Sequence, residues 1–263
     1  MATDRMMSRI KTACALYRRS AFFKILTSGA PGLWLAAFLV IIVTGSAFLV
    51  PVSQISMKVT TRVLTKGKSI SSEGELFYRA GNGSLVTRFI TPQEYLVITN
   101  AVGEFSIYQL AENTVTQAKG KDYSSENSFL YYFLRNKTFD MGLGSSGFRL
   151  RNTRTEDKLL VTTWDPPLEL AGNITQVELV HENHRPIYMG FIGPKGRPAQ
   201  KVYYTRYEQV GDVALPTFIT EIQFTAKGDS SITRRTYSGF RINSEVDTKW
   251  LDFRIPMDAK VVK

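Results

Sequence analysis

Cysteine and histidine are almost absent from this sequence: one Cys and two His in 263 residues. Cys14 is the only thiol, so no disulfide framework, thiol catalysis or cysteine zinc site can be built after it. A part of about 200 residues does not need such staples, because it can bury a core of its own. A clustered basic face is also missing. Of the formal charge of +10, half comes from the first 31 residues, and the rest is scattered. That pattern excludes nucleic acid as a partner. Catalytic signatures are missing too. Gly144-Ser145-Ser146-Gly147 has no strand-to-helix setting for a nucleophile elbow, and no glycine group lies between a parallel strand and a helix to cradle phosphate. His181-Glu182-Asn183-His184 holds both histidines at i, i+3, not the i, i+4 of a helical zinc pair. Its flanks read strand, turn, strand, which places both histidines at an exposed hairpin tip. No catalytic residue, no cofactor and no metal site is expected.

Long apolar runs are missing with one exception, Leu33–Val50, which holds 18 residues and no ionisable side chain. As a helix it covers about 27 Å, close to the hydrocarbon thickness of a bilayer. Arg5, Arg9, Lys11, Arg18, Arg19 and Lys24 precede it, against the single acid Asp4. Such a flank stays on the cytoplasmic side. The expected layout is a basic cytoplasmic segment over 1–31, a transmembrane anchor over 32–52 and one exported domain over 53–263. A cleaved signal peptide ending at Gly45-Ser46-Ala47 is the competing reading, but both its lead and its apolar run would be long. Residues 5–27 supply an apolar and a basic side for an interfacial helix, or only a positive flank. The cysteine-free exported part suits a bacterial periplasm, with the inner membrane as the site of the anchor.

After Pro51 the chain alternates apolar and polar residues with period two, the pattern of half-buried strands. Phe218–Thr225 is the clearest case. Gly-containing turns every 8–12 residues divide the chain into eleven or twelve short strands, an antiparallel barrel or strongly curved sheet. Ser124–Arg135, SSENSFLYYFLR, breaks the alternation. Ser124 or Ser125 can cap a helix, and the apolar run Phe129–Leu134 must be buried on more than one side. Phe129, Tyr132 and Phe133 share one helix face and Leu130 and Leu134 another. The fold class is therefore all-β (β-dominated α+β). Periodicity alone leaves two options open, an ordinary core crossed by a helix or a helix covering a ligand space.

Several motifs in order resemble the LolA superfamily of periplasmic lipoprotein carriers and lipid-binding relatives. They are Gly74-Glu75-Leu76-Phe77-Tyr78-Arg79, Thr91-Pro92-Gln93-Glu94 with the strand Leu96–Thr99, Phe105-Ser106-Ile107-Tyr108, the Phe129–Asn136 segment, and the close from Phe253-Arg254-Ile255-Pro256 to Val261. The resemblance spans roughly residues 55–262. It implies a curved antiparallel half-barrel sheet around an apolar cavity with a helical lid, binding acyl chains without catalysis or cofactor. On that basis the candidate lining residues are Leu76, Tyr78, Phe129, Tyr132 and Phe133, with Leu130 and Leu134 on the sheet rim. The implied partners are lipid or lipoprotein acyl chains, the inner membrane and a membrane exporter. The family's cavity-facing Arg falls on Ala80, with Arg79 beside it. The family's first lid helix is missing, since a strand begins four residues after Pro51. Two rival readings share the one-anchor layout: an LptC-like jellyroll bridge, and a protein-binding structural or signalling subunit of an envelope complex.

Overall fold

The computed structural model describes residues 50–225 and 228–262, which fall in the second of two units, Leu49–Lys263. The proposed anchor lies outside the described residues except for Val50, Pro51 and Val52. Among the described residues no helix is long and apolar enough to cross a membrane.

Fourteen strands form one open, curved sheet. In chain order they are β1 (Gln54–Thr65), β2 (Lys68–Arg79), β3 (Ser84–Thr91), β4 (Tyr95–Thr99), β5 (Glu104–Gln109) and β6 (Thr114–Lys119), then β7 (Arg149–Glu156), β8 (Leu159–Asp165), β9 (Gln176–Glu182), β10 (Arg185–Ile192), β11 (Pro198–Val210), β12 (Val213–Phe224), β13 (Ser230–Ile242) and β14 (Lys260–Val261). Their spatial order is β14-β6-β5-β4-β3-β2-β1-β13-β12-β11-β10-β9-β8-β7. Two antiparallel meanders therefore meet where β1 pairs with β13. The long-range β1–β13 pairing closes the chain on itself and leaves β7 and β6 at the two edges. β14 covers only Thr114 and Val115 of β6, in parallel. The one described α-helix, α1 (Phe129–Leu134), lies in the connection between the meanders.

Strand alternation sorts the side chains onto two faces. On the inner face Ile55, Met57 and Val59 of β1, Leu76 and Tyr78 of β2, Ile219 of β12 and Tyr237 of β13 join Leu130 and Phe133 of α1 in one buried cluster. The outer face of the first meander carries a second cluster, in which Phe77, Val86, Leu96, Tyr108 and Val115 meet Val246 and Leu251 from the chain's end. Residues 243–259 thus seal the outside of β2–β6. The terminal strand expected from the closing motif is only two residues long, and the rest of that segment packs through Trp250, Phe253 and Ile255.

Candidate functional site

The helix is shorter than its sequence suggests, and its cap lies later. Ser124 caps a 3₁₀ turn, accepting from the Glu126 N–H. The α-helical cap is Ser128, whose Oγ accepts from the Tyr131 N–H at 3.3 Å. Six residues make too little helix to persist alone, so tertiary packing holds it. Phe129 lies on Tyr237 at 4.9 Å between ring centroids. Phe133 lies between Tyr204 and Tyr207, at 6.3 and 6.1 Å. Arg135 closes the helix against β2 through the Ala80 carbonyl at 2.7 Å. Tyr132 sits over Gly142, where φ is +82° and a Cβ would collide with the tyrosine ring.

The five candidate lining residues come together. Leu76, Tyr78 and Phe133 are buried, Phe129 and Tyr132 are partly buried, and all five belong to the inner cluster. Leu76 and Tyr78 point the same way, as their shared strand face requires. Leu130 is not at the rim. It is fully buried in the same cluster, because a helix this short presents Leu130 and Phe133 to the sheet on one side.

The histidine pair divides. The β9–β10 hairpin turns on only two residues, Asn183 and His184, both at positive φ, as a tight hairpin of this hand requires. His184 is exposed there. His181, expected beside it in solvent, is instead the inner-face continuation of Val177 and Leu179 and is buried at 3% exposure. The segment after α1 covers it. Its Nε2–H donates to the Thr138 carbonyl at 2.8 Å, and its ring lies parallel to Phe139. Nδ1 is buried with no partner. Burial holds its pKa below the ordinary 6.5, partly opposed by the Thr138 bond.

Arg79 lies on the outer face, not toward the inner cluster. It shares that face with Phe77 and binds Asp252 at 2.9 Å and Gln54 at 3.4 Å, clasping the C-terminal segment.

One part of the inner face lies outside both buried clusters. On β3–β5, Phe89, Tyr95, Val97 and Ile107 are half-buried and belong to neither cluster. Register places Phe89 opposite Tyr95 and Val97 opposite Ile107, and the first pair stacks at 4.5 Å. At the strip's lower end Phe105 stacks on Tyr123 at 5.0 Å. These residues escaped the sequence reading, yet a signal existed. Tyr95-Leu96-Val97-Ile98 is apolar at both parities, so both faces of β4 seek cover. The tail covers Leu96 and Ile98; Tyr95 and Val97 join neither cluster and stay half-buried.

No family model and no curated protein matches the sequence. Solved structures do. A LolA superfamily protein from Nitrosomonas europaea aligns over 81% of this chain and 96% of its own, at 12% identity and a TM-score of 0.50. The fold is LolA-like. A putative outer membrane lipoprotein-sorting protein domain from Vibrio parahaemolyticus covers 76% of this chain and 89% of its own, at 12% identity and TM-score 0.51. A DUF1329 family protein from Desulfovibrio piger covers 84% and 95%, at 14% identity and TM-score 0.54. Against the LolA-like frame, the half-barrel and the helix across its inner face match the expectation drawn from the motifs.

Proposed function

We propose that this chain is a membrane-tethered periplasmic protein that holds lipid or lipoprotein acyl chains on its inner face, without catalysis. It acts as a fixed relay in envelope lipid or lipoprotein transport, beside a membrane exporter. The observation that carries this reading is the half-buried strip of Phe89, Tyr95, Val97 and Ile107, which belongs to neither buried cluster. Burying a methylene is worth about 0.8 kcal/mol, so ten methylenes laid on such a strip supply about 8 kcal/mol, the scale of a micromolar complex before binding costs. The LolA-like fold supports it, as does the lipoprotein-sorting name of one structural neighbour. The tether rests on Leu33–Val50 and its basic lead.

The test is mass spectrometry of lipid co-purifying with the full chain in mild detergent. The parent should carry acyl lipid, and Val97→Glu, which sets a carboxylate on the strip, should lose it while remaining folded. A lipid-free parent, or a folded Val97→Glu variant with undiminished lipid, would overturn the reading in favour of a protein-binding subunit. N-terminal sequencing of the membrane-bound protein tests the tether; a mature start near Phe48 would replace it with a soluble carrier.

The open β7 edge favours the bridge reading, in which sheets of neighbouring proteins pair edge to edge. That edge, however, carries Arg149, Arg151, Arg154 and Glu156, and edge charges of this kind discourage strand addition. The strip therefore supports the acyl-binding reading over the bridge.

A further inference from the structure

Beyond α1, toward the β1–β2 turn, the inner face changes character. Register continues the buried row Val202, Tyr204, Ile219 and Tyr237 into a polar island. On β12, Glu221 shares the inner face with Ile219; on β13, Arg235 shares it with Tyr237; Gln200 faces Gln223 across β11 and β12. The Glu221 carboxylate is fully engaged. Its Oε1 accepts from Gln200 Nε2 and Gln223 Nε2, each at 2.8 Å, and its Oε2 accepts from Arg235 Nη1 at 3.2 Å. The Glu221 side chain retains 18% of its exposure and Arg235 38%, so the guanidinium is the part that meets an incoming group.

The donors and acceptors left over define what fits. Arg235 Nη2 and Nε, and the two glutamine side-chain carbonyls, have no hydrogen-bond partner among the described residues. The same holds for the Tyr204 and Tyr237 hydroxyls. Burial pushes the Tyr204 phenol up and Tyr237 to about 12, so both hydroxyls keep their protons and can donate. The island thus offers several hydrogen-bond donors and acceptors and no net charge, since the one carboxylate and the one guanidinium neutralise each other. A phosphate would find its only cation already paired and a carboxylate about 3 Å from that cation. Ester and amide carbonyls and hydroxyls would find partners without repulsion. Four strand steps separate β13 from β4, about 19 Å along the sheet, comparable to the length of a long acyl chain lying from the island to the strip.

We propose that Glu221, Arg235, Gln200 and Gln223, with the Tyr204 and Tyr237 hydroxyls, bind the uncharged ester-bearing head of the acylated ligand and select against phosphate heads. This inference rests on the acyl-binding reading. The shared chemistry is a glyceride ester head, found on free diacylglycerol and on lipid-modified cysteine.

The experiment titrates delipidated full-length protein in detergent with four probes, read by native mass spectrometry. They are dipalmitoylglycerol, dipalmitoyl phosphatidic acid, a synthetic diacylglyceryl-cysteine peptide, and hexadecane as a chain without a head. The parent should bind either glyceride probe at least tenfold more tightly than phosphatidic acid; which of the two binds more tightly identifies the source. Glu221→Gln leaves Arg235 uncompensated and should reverse the preference toward phosphatidic acid. Arg235→Gln leaves the carboxylate and should sharpen rejection of phosphate, so the two variants move in opposite directions. Each is checked for an unchanged unfolding midpoint, and one folded variant suffices. A parent that binds phosphatidic acid as tightly as the glycerides, or a preference that neither folded variant moves, overturns the headgroup site while hexadecane and lipid binding leave the acyl reading standing. Failure of all four probes overturns both.

Discussion

The two meanders treat their inner faces differently. From β8 to β13 the middle of the inner face is roofed: α1 and the segment after it press Leu130, Phe133, Met141 and Leu143 onto Trp164, Leu179, Tyr204 and Ile219. On β3–β5 only part of it joins that core: Leu85 packs against it and Phe105 stacks on Tyr123, while Phe89, Tyr95, Val97 and Ile107 stay half-buried outside both clusters; the same strands are sealed on the outer side by the C-terminal segment. A two-sided apolar strand has to bury both faces or leave one for something else. Packing here satisfies the outer face of β3–β5 and leaves the strip on the inner one half-buried. Side chains under the roof should therefore govern stability, and side chains on the half-buried strip should govern binding.

The largest expected effect lies under the roof. Phe133→Glu sets a carboxylate among Phe129, Tyr204 and Tyr207. Lost packing and an unpaired buried charge together should cost at least about 4 kcal/mol, read as a fall in the denaturation midpoint, with much of the protein unfolded. Phe133 is thus a poor probe of binding, whereas Val97→Glu separates the two properties because its site has solvent beside it. If Phe133→Glu unfolds at the parent's midpoint, the roof is not a core and the contrast between the meanders collapses.

The seal on the outer side comes next. Leu251 is 4% exposed against Phe77, Val86 and Leu96. Leu251→Ala should cost about 2–3 kcal/mol by urea unfolding and leave lipid co-purification intact, since the strip lies on the opposite face. Loss of lipid from a folded Leu251→Ala protein would show that the two faces are not independent.

How much of this was readable follows the range of the interactions. The period-two pattern from Ile55 to Ile242 is local, and so the strands were legible. Phe129–Leu134 breaks that period within six residues and was legible as a helix. The cap was not: Ser124, Ser125 and Ser128 are all able to cap, and packing of Phe129 on Tyr237 decides among them. The common interior of Leu76 and Tyr78 follows from parity and was legible. The tail over Phe77 and Leu96 depends on pairing residues far apart in the chain, such as Phe77 with Leu251 and Leu96 with Val246, and no local pattern announces it. The strip was half legible, because the doubly apolar Tyr95–Ile98 says that both faces need cover without saying which is left half-buried. The turn at Asn183-His184 was placed correctly, but the depth of His181 was not. A two-residue hairpin extends β9 to Glu182, and that extra length carries His181 under the roof.

His181 gives the roof a pH signature. Its imidazole is held neutral, with Nε2–H on Thr138 and Nδ1 buried. The folded pKa lies below the ordinary 6.5, so the unfolded chain takes up a proton first as the pH falls. Stability should therefore decline as the pH drops below about 6.5, until the lower folded value is reached, and be full above it. His181→Ala should cost about 1–2 kcal/mol at pH 8 and flatten this decline, both seen in unfolding midpoints measured from pH 8 to 5. A parent whose stability is level over that range, or declines as steeply in His181→Ala, would mean that the roof does not shield this ring.

The smallest effect sharpens the boundary of the roof. His184 lies three residues further on, exposed at the turn, with φ +63°. It makes no hydrogen bond with a described residue, so its removal takes away neither packing nor a buried partner. The backbone sets the only cost: non-glycine residues are slightly strained in this region, Asn, Asp and His least, so alanine adds only a small strain to that of histidine. His184→Ala should therefore stay within about 0.5 kcal/mol of the parent and keep its pH profile, while His184→Gly, which relieves the strain, should equal or slightly exceed the parent. The double variant of His181 and His184 should then match His181→Ala alone, because His184 is exposed at the turn and adds no buried packing to be lost. A double variant that loses distinctly more than His181→Ala would place His184 within the roof, and would move the boundary between covered and uncovered face past the end of β9.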